Sequence, residues 1–225
     1  MSNQINPHFD TVLFNKLLER WQEHKHLISP PSSPLCLWES ATREIWIAND
    51  WGPSVPYGPR NHGDGHKNHG YKPLKGNVDV IRHLPEVDGW PELEQFLVTI
   101  NAANSPIESA GCEKGYFPAE VDGEPRVKLG SYVDVFFTAA ALNDNPENLL
   151  MLASCLILAV EGCEQWWAFV EISLTRFRFI AGAANPWGLM LRITNYGRTE
   201  EEARALWGET LRRLGDEIVK LPKEL

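Results

Sequence analysis

Along residues 9–26, Phe9, Leu13, Leu17 and Trp21 recur at every fourth position with polar residues between them, which predicts an amphipathic helix. The proline-rich stretch Ser29-Pro-Pro-Ser-Ser-Pro34 ends it. Two short runs rich in Trp and Ile follow, 35–39 and 44–49, joined by Ser40-Ala-Thr-Arg43, and they read as a β-hairpin. Pairing 39 with 44 would set Leu37 beside Trp46 on one face and Trp38 beside Ile45 on the other, so both faces of the hairpin are apolar. Residues 50–77 break every periodicity, with six glycines and four prolines and almost no aliphatic side chain. A loop of that length in a compact domain is usually functional or disordered.

Beyond it the pattern predicts a strand at 78–82 and a helix from Pro91 to about 103, with Pro91 at the first helical position and Glu92 and Glu94 in the first turn. Residues 104–125 read as turn-rich. A strand at 128–138, a buried helix at 146–161 and a hairpin formed by 167–179 with 188–195 come next. A last helix starts at Thr199, whose hydroxyl and Glu202 make a capping box, and carries Ala203, Trp207, Leu211, Leu214 and Ile218 at helical spacing until Pro222. These elements predict a single α+β domain: an N-terminal helix and hairpin over 9–49, a long His/Gly/Pro-rich loop over 50–77, and a core over 78–221. In that core, an antiparallel sheet with packed helices follows the order strand, helix, strand, strand, helix of a ferredoxin-like unit.

Composition narrows the function classes. The first 30 residues have charges where a secretory signal needs an apolar run, and the longest apolar run, Leu149–Val160 with only Ser154 interrupting, is far short of the roughly 20 residues that cross a bilayer. A soluble, cytoplasmic protein is expected. Its four cysteines have no CxxC spacing, so neither a disulfide framework nor a zinc knuckle is indicated; Cys112, read as lying in a polar loop, is the one thiol placed to be a nucleophile. The net charge of −9 is uneven: residues 1–164 hold 12 Lys/Arg against 22 Asp/Glu, and residues 165–225 hold 9 against 8. Such a surface repels nucleic acid and anionic membrane and favours a basic protein partner.

Candidate chemistry concentrates in Asn61-His-Gly-Asp-Gly-His-Lys-Asn-His-Gly70, where His62, Asp64, His66 and His69 stand among glycines. Imidazoles and a carboxylate at this spacing could hold a divalent metal, zinc first, with a bound water as the nucleophile of a metal-dependent hydrolase. The default for such a stretch is a plain solvated loop. The familiar nucleotide-cradle, nucleophile-elbow and H-E-x-x-H signatures are absent.

A second candidate is the arginine group Arg176, Arg178 and Arg192. If the C-terminal hairpin closes about Ala184, Arg176 faces Arg192, and opposed cations require an anion between them: a small ligand, or a carboxylate from the acidic first two-thirds of this chain. The apolar alternation shifts after Leu174, which suggests a bulge near Thr175. Trp51 and Trp187, two of nine tryptophans, lie beside Gly/Pro turns where an exposed aromatic could anchor a partner. The expectation that results is a non-catalytic interaction protein, of the adaptor, immunity or accessory-subunit kind, burying aromatic anchors within an acidic rim. The metal-dependent hydrolase and a small-anion-binding domain are the alternatives.

Overall fold

A computed structural model describes residues 10–27, 34–48, 54–55, 73–161, 168–179 and 186–221, the pairs 54–55 and 178–179 by backbone alone. The elements are α1 (Thr11–His24), β1 (Leu35–Glu39), β2 (Arg43–Ile47), β3 (Ser54–Val55), α2 (Val78–Arg82), α3 (Pro91–Ile100), β4 (Ile107–Val121), β5 (Glu124–Phe137), α4 (Pro146–Ala159), β6 (Ala168–Arg176), β7 (Arg178–Phe179), β8 (Trp187–Gly197) and α5 (Glu200–Lys220), with short 3-10 turns between some of them. Side-chain caps start three of the helices. Asp10 accepts from the amides of Val12 and Leu13 at 2.8 and 3.0 Å, Asn145 from Glu147 at 3.1 Å, and Thr199 from Glu202 at 3.2 Å.

Six strands form one sheet in the order β1-β2-β6-β8-β5-β4. The N-terminal hairpin joins it through β2, which runs parallel to β6; the other neighbours are antiparallel. Strands β5 and β6 therefore run parallel, with β8 antiparallel between them and α4 as their connection. A transverse row shows how the sheet is anchored: Ile45, Ile172, Leu191, Val133 and Cys112 lie side by side across five strands, and all are buried. They share one hydrophobic cluster with Leu13 and Leu17 of α1, Ile81 of α2, Leu97 of α3, Leu156 of α4 and Trp207 of α5. All five helices thus feed the same side of the sheet. Strand alternation sends the residues between to the opposite, outer side. Polar contacts fix the helix side further: the Trp207 indole N–H donates to Ser131 Oγ at 2.7 Å, and Arg204 forks onto Glu92 at 2.8 and 2.9 Å.

Several expected elements differ. Residues 78–82 form the short helix α2 instead of a strand, because Ile81 and Val80 meet the core on one helical face and packing overrides β-branched preference over so few residues. Residues 104–125, expected to be turns, contain the 15-residue strand β4. Gly111, Gly115 and Pro118 dilute its strand signal, while Asp122 and Gly123, at φ 53° and 77°, make the tight turn that registers it against β5. In the N-terminal hairpin Trp38 pairs with Ile45 as expected, but an irregularity between Cys36 and Trp38 puts Cys36 opposite Trp46. The C-terminal hairpin pairs Arg176 with Trp187 and Glu171 with Arg192, so the partner of Arg176 lies five residues before the Arg192 that closure about Ala184 requires. No bulge interrupts this pairing at Thr175. The shift in alternation has another cause: Phe177 is an outer-side residue, packed edge-on against Phe136 at 6.5 Å in a small apolar cluster with Ala110, after which the chain leaves β8 and pairs β7 with β3.

The Phe177 ring lies directly on Gly188, where a Cβ would fall 2.0 Å from Phe177 Cε2 and 2.8 Å from the Val135 carbonyl oxygen. Gly188→Ala is expected to lower unfolding free energy by about 1–3 kcal/mol, the usual cost of overpacking a closed site. Urea unfolding checks this; a loss below about 0.5 kcal/mol, typical of a tolerant surface position, would mean the ring is not confined.

Candidate functional site

Because the helices occupy one side, the polar chemistry collects on the other. One transverse row of the outer face reads Glu44, Glu171, Arg192, Tyr132 and Glu113 across β2, β6, β8, β5 and β4. Glu44 and Glu171 are direct neighbours, an arrangement that repels unless each carboxylate has its own donor. Each does: the Trp46 indole donates to Glu44 at 2.6 Å, while Arg192 and Ser173 both donate to Glu171 Oε1 at 2.9 Å. The next row, Trp46, Ser173, Met190, Asp134 and Gly111, carries a single charge, Asp134.

Asp134 is 5 % exposed and its Oδ1 has no hydrogen-bond partner. Burial pushes its carboxyl up to about 7, against the pull of Arg192 in the adjacent row. A carboxyl raised to about 7 changes its charge with small changes of pH around neutrality. Towards the β4–β5 turn the same face carries Phe117, 53 % exposed, its ring resting on Gly115 and Gly130, which supply a floor without side chains. Phe169, Tyr132 and Tyr196, all half-buried, lie on that side too.

The residues singled out in the sequence fall in different places. Arg192 is on the outer face, paired with Glu171. Its carboxylate is supplied by the neighbouring strand β6, not by the acidic first two-thirds of the chain. Arg176 is on the helix side, its guanidinium 4.5 Å from the Trp187 ring. The register therefore puts Arg176 and Arg192 on opposite faces, and they do not converge on a common anion. Arg178 belongs to β7, described by its backbone alone. Trp187 is 5 % exposed and meets Trp21 of α1 edge-to-face at 6.0 Å, so it is packed beneath the sheet. Cys112 occupies a buried position of β4, where burial pushes its thiol well up, the reverse of what a nucleophile needs. His62, Asp64, His66, His69 and Trp51 lie outside the described residues. Among the described residues no group of three or more His, Cys, Asp or Glu side chains is placed to hold a metal ion, and no helix is long and apolar enough to cross a membrane.

The outer-face residues were within reach of sequence reasoning. A charge at Asp134 between Val133 and Val135, inside a run expected to be a strand, marks a position on the opposite side from its neighbours. Glu171 between Val170 and Ile172 carries the same mark. Comparison with protein-family models, with curated proteins and with solved structures gives no match.

The Asp134 environment has a consequence for stability. The folded chain holds this proton up to about pH 7, whereas an aspartate in the unfolded chain releases it near 3.8, so folding takes up a proton between those limits. The contribution of this group is full below about pH 4 and is lost as pH rises through 7. The stability of Asp134→Asn relative to the parent is therefore expected to rise across this window by up to about 4 kcal/mol, at 1.36 kcal/mol for each pH unit between the two midpoints. Denaturant unfolding at pH 4.5, 6 and 8 measures it; a difference that does not change with pH would refute the buried, unpartnered carboxyl.

Proposed function

We propose that this chain is a non-catalytic binding protein that takes a basic protein partner on the outer face of its sheet. The observation that carries the reading is the segregation of roles between the two faces. All five helices pack on one side, and the other presents an exposed aromatic, Phe117, beside a band of carboxylates: Glu44, Glu113, Asp134 and Glu171. Among the described residues of that band Arg192 is the one cation, and it is committed to Glu171; Lys128 lies outside the band, opposite Phe117. Aromatic anchors supply buried area in an interface, and a surrounding field of one sign steers and selects the partner. The overall charge of −9 acts in the same direction at longer range.

The order β5-α4-β6-β8-α5, with β8 between parallel β5 and β6, also supports reading the C-terminal half as a ferredoxin-like unit. An α+β plan with its helices on one side leaves a sheet face available for recognition. Metal-dependent hydrolysis draws no support from the described residues.

The test compares capture from cell extract by the parent chain, by Phe117→Ser/Glu113→Lys on the outer face, and by Val219→Ser, an exposed apolar position of α5 on the helix side. A partner retained by the parent and by Val219→Ser is expected to be lost by the outer-face double variant, and to be released from the parent between about 50 and 300 mM salt as exposed charges are screened. Equal retention by the double variant would place recognition elsewhere.

A further inference from the structure

We infer that Asp134 and Glu113 together receive one cationic side chain of the partner, the ammonium of a lysine or the guanidinium of an arginine. The inference rests on the outer-face reading above and names the chemistry at its centre. Asp134 pairs with Gly111 and Tyr132 with Glu113, so Asp134 and Glu113 are diagonal neighbours on one face. Diagonal neighbours lie about 7–8 Å apart, a span that one cation with several N–H donors can bridge. Tyr132 is the direct cross-strand neighbour of Glu113 and lies two residues before Asp134 on the same face of β5, and aromatic faces attract cations. On the far side, Met190 is the cross-strand neighbour of Asp134, a flexible thioether that can yield to an entering alkyl chain.

The second, independent observation is the unsatisfied atom itself. Asp134 Oδ1 is buried and accepts no hydrogen bond, a condition that destabilises the isolated chain. Among the described residues, the cations nearest to it have partners elsewhere in the fold. Arg192 of β8 donates to Glu171 of β6, and Lys114 of β4 faces the helix side, 5.1 Å from the Trp90 ring. Lys75 donates to the carbonyl oxygens of Ser105 and Ile107 and sits beside Glu108. No cation of the described residues forms a hydrogen bond with Asp134. Glu113 is exposed, and among the described residues its Oε1 accepts from the Lys114 amide at 3.1 Å, which leaves acceptor capacity for a second donor.

The experiment follows the Asp134 carboxyl carbon by NMR during pH titration of the full chain, alone and with three capped octapeptides: arginine alternating with serine, lysine alternating with serine, and citrulline alternating with serine as the neutral counterpart. Saturating arginine or lysine peptide is expected to lower the Asp134 midpoint by at least one pH unit, a tenfold preference for the ionised carboxyl, and the citrulline peptide to leave it in place. The two cationic peptides separate a guanidinium from an ammonium. Asp134→Asn, checked for a native amide spectrum, is expected to weaken binding of the cationic peptide at least tenfold, whereas Val219→Ser leaves it unchanged. An Asp134 midpoint that ignores every peptide, with Asp134→Asn binding as the parent does, overturns the inference. If the amides of Phe117 and Tyr132 still respond in that case, the outer face remains the binding face and only the receptor is lost. If no outer-face amide responds while helix-side amides do, both readings fall.

Discussion

Strand alternation, held in register by one apolar layer beneath five helices, is the constraint on which the rest of this molecule depends. Ile45, Ile172, Leu191 and Val133 are wholly buried in a single row, and Ile47, Leu174, Leu189 and Val135 repeat the arrangement one pleat further along. Slipping any central strand by one residue would bring a carboxylate or an arginine into that layer and expel a branched aliphatic, so the register is strongly specified. The positions of Glu171, Arg192 and Asp134 on the outer face follow from where their neighbours must go.

That placement sets the electrostatics of the outer face. Adjacent carboxylates at Glu44 and Glu171 are tolerated because an indole serves one and an arginine with a serine hydroxyl serves the other. Asp134 has no such provision, and burial holds its carboxyl near neutrality. Asp134 Oδ1 is one of seven buried side-chain atoms without a hydrogen-bond partner among the described residues, and the one carboxylate oxygen of the outer-face band among them. A cation arriving from a partner would convert this position from a liability in the isolated chain into a contact that favours the complex.

The parts of the fold legible in the sequence are those where period and punctuation agree. The α1 stripe of Leu13, Leu17 and Trp21, the Pro91 start of α3, the Asn145-Pro146 start of α4 and the Thr199 cap of α5 are each local signals that packing reinforces. Where a signal was ambiguous, tertiary context decided. Val78–Arg82 has strand-like composition but makes a helical turn, and β4 is a long strand although glycines and a proline interrupt it. The arginine reading depended on a closure about Ala184 that sequence could not fix, and the shift in alternation read as a bulge near Thr175 arises because the Phe177 ring belongs to a separate outer cluster. Of the outer-face site, Asp134 and Glu171 were legible as charges inside apolar strands. Phe117 was not, since its meaning depends on Gly115 and Gly130 being neighbours across two strands.

The sheet has one side closed by the helices and, at the Phe117 end of the other, a stretch open to solvent, and hydroxyl-radical footprinting of the isolated chain tests this most directly. Phe117, half of whose surface meets solvent, is expected to oxidise rapidly, while Trp207, Phe137 and Trp187 on the helix side are protected. Protection of Phe117 to the level of Trp207 would mean that the outer face is already covered in the isolated chain, and the account would fail.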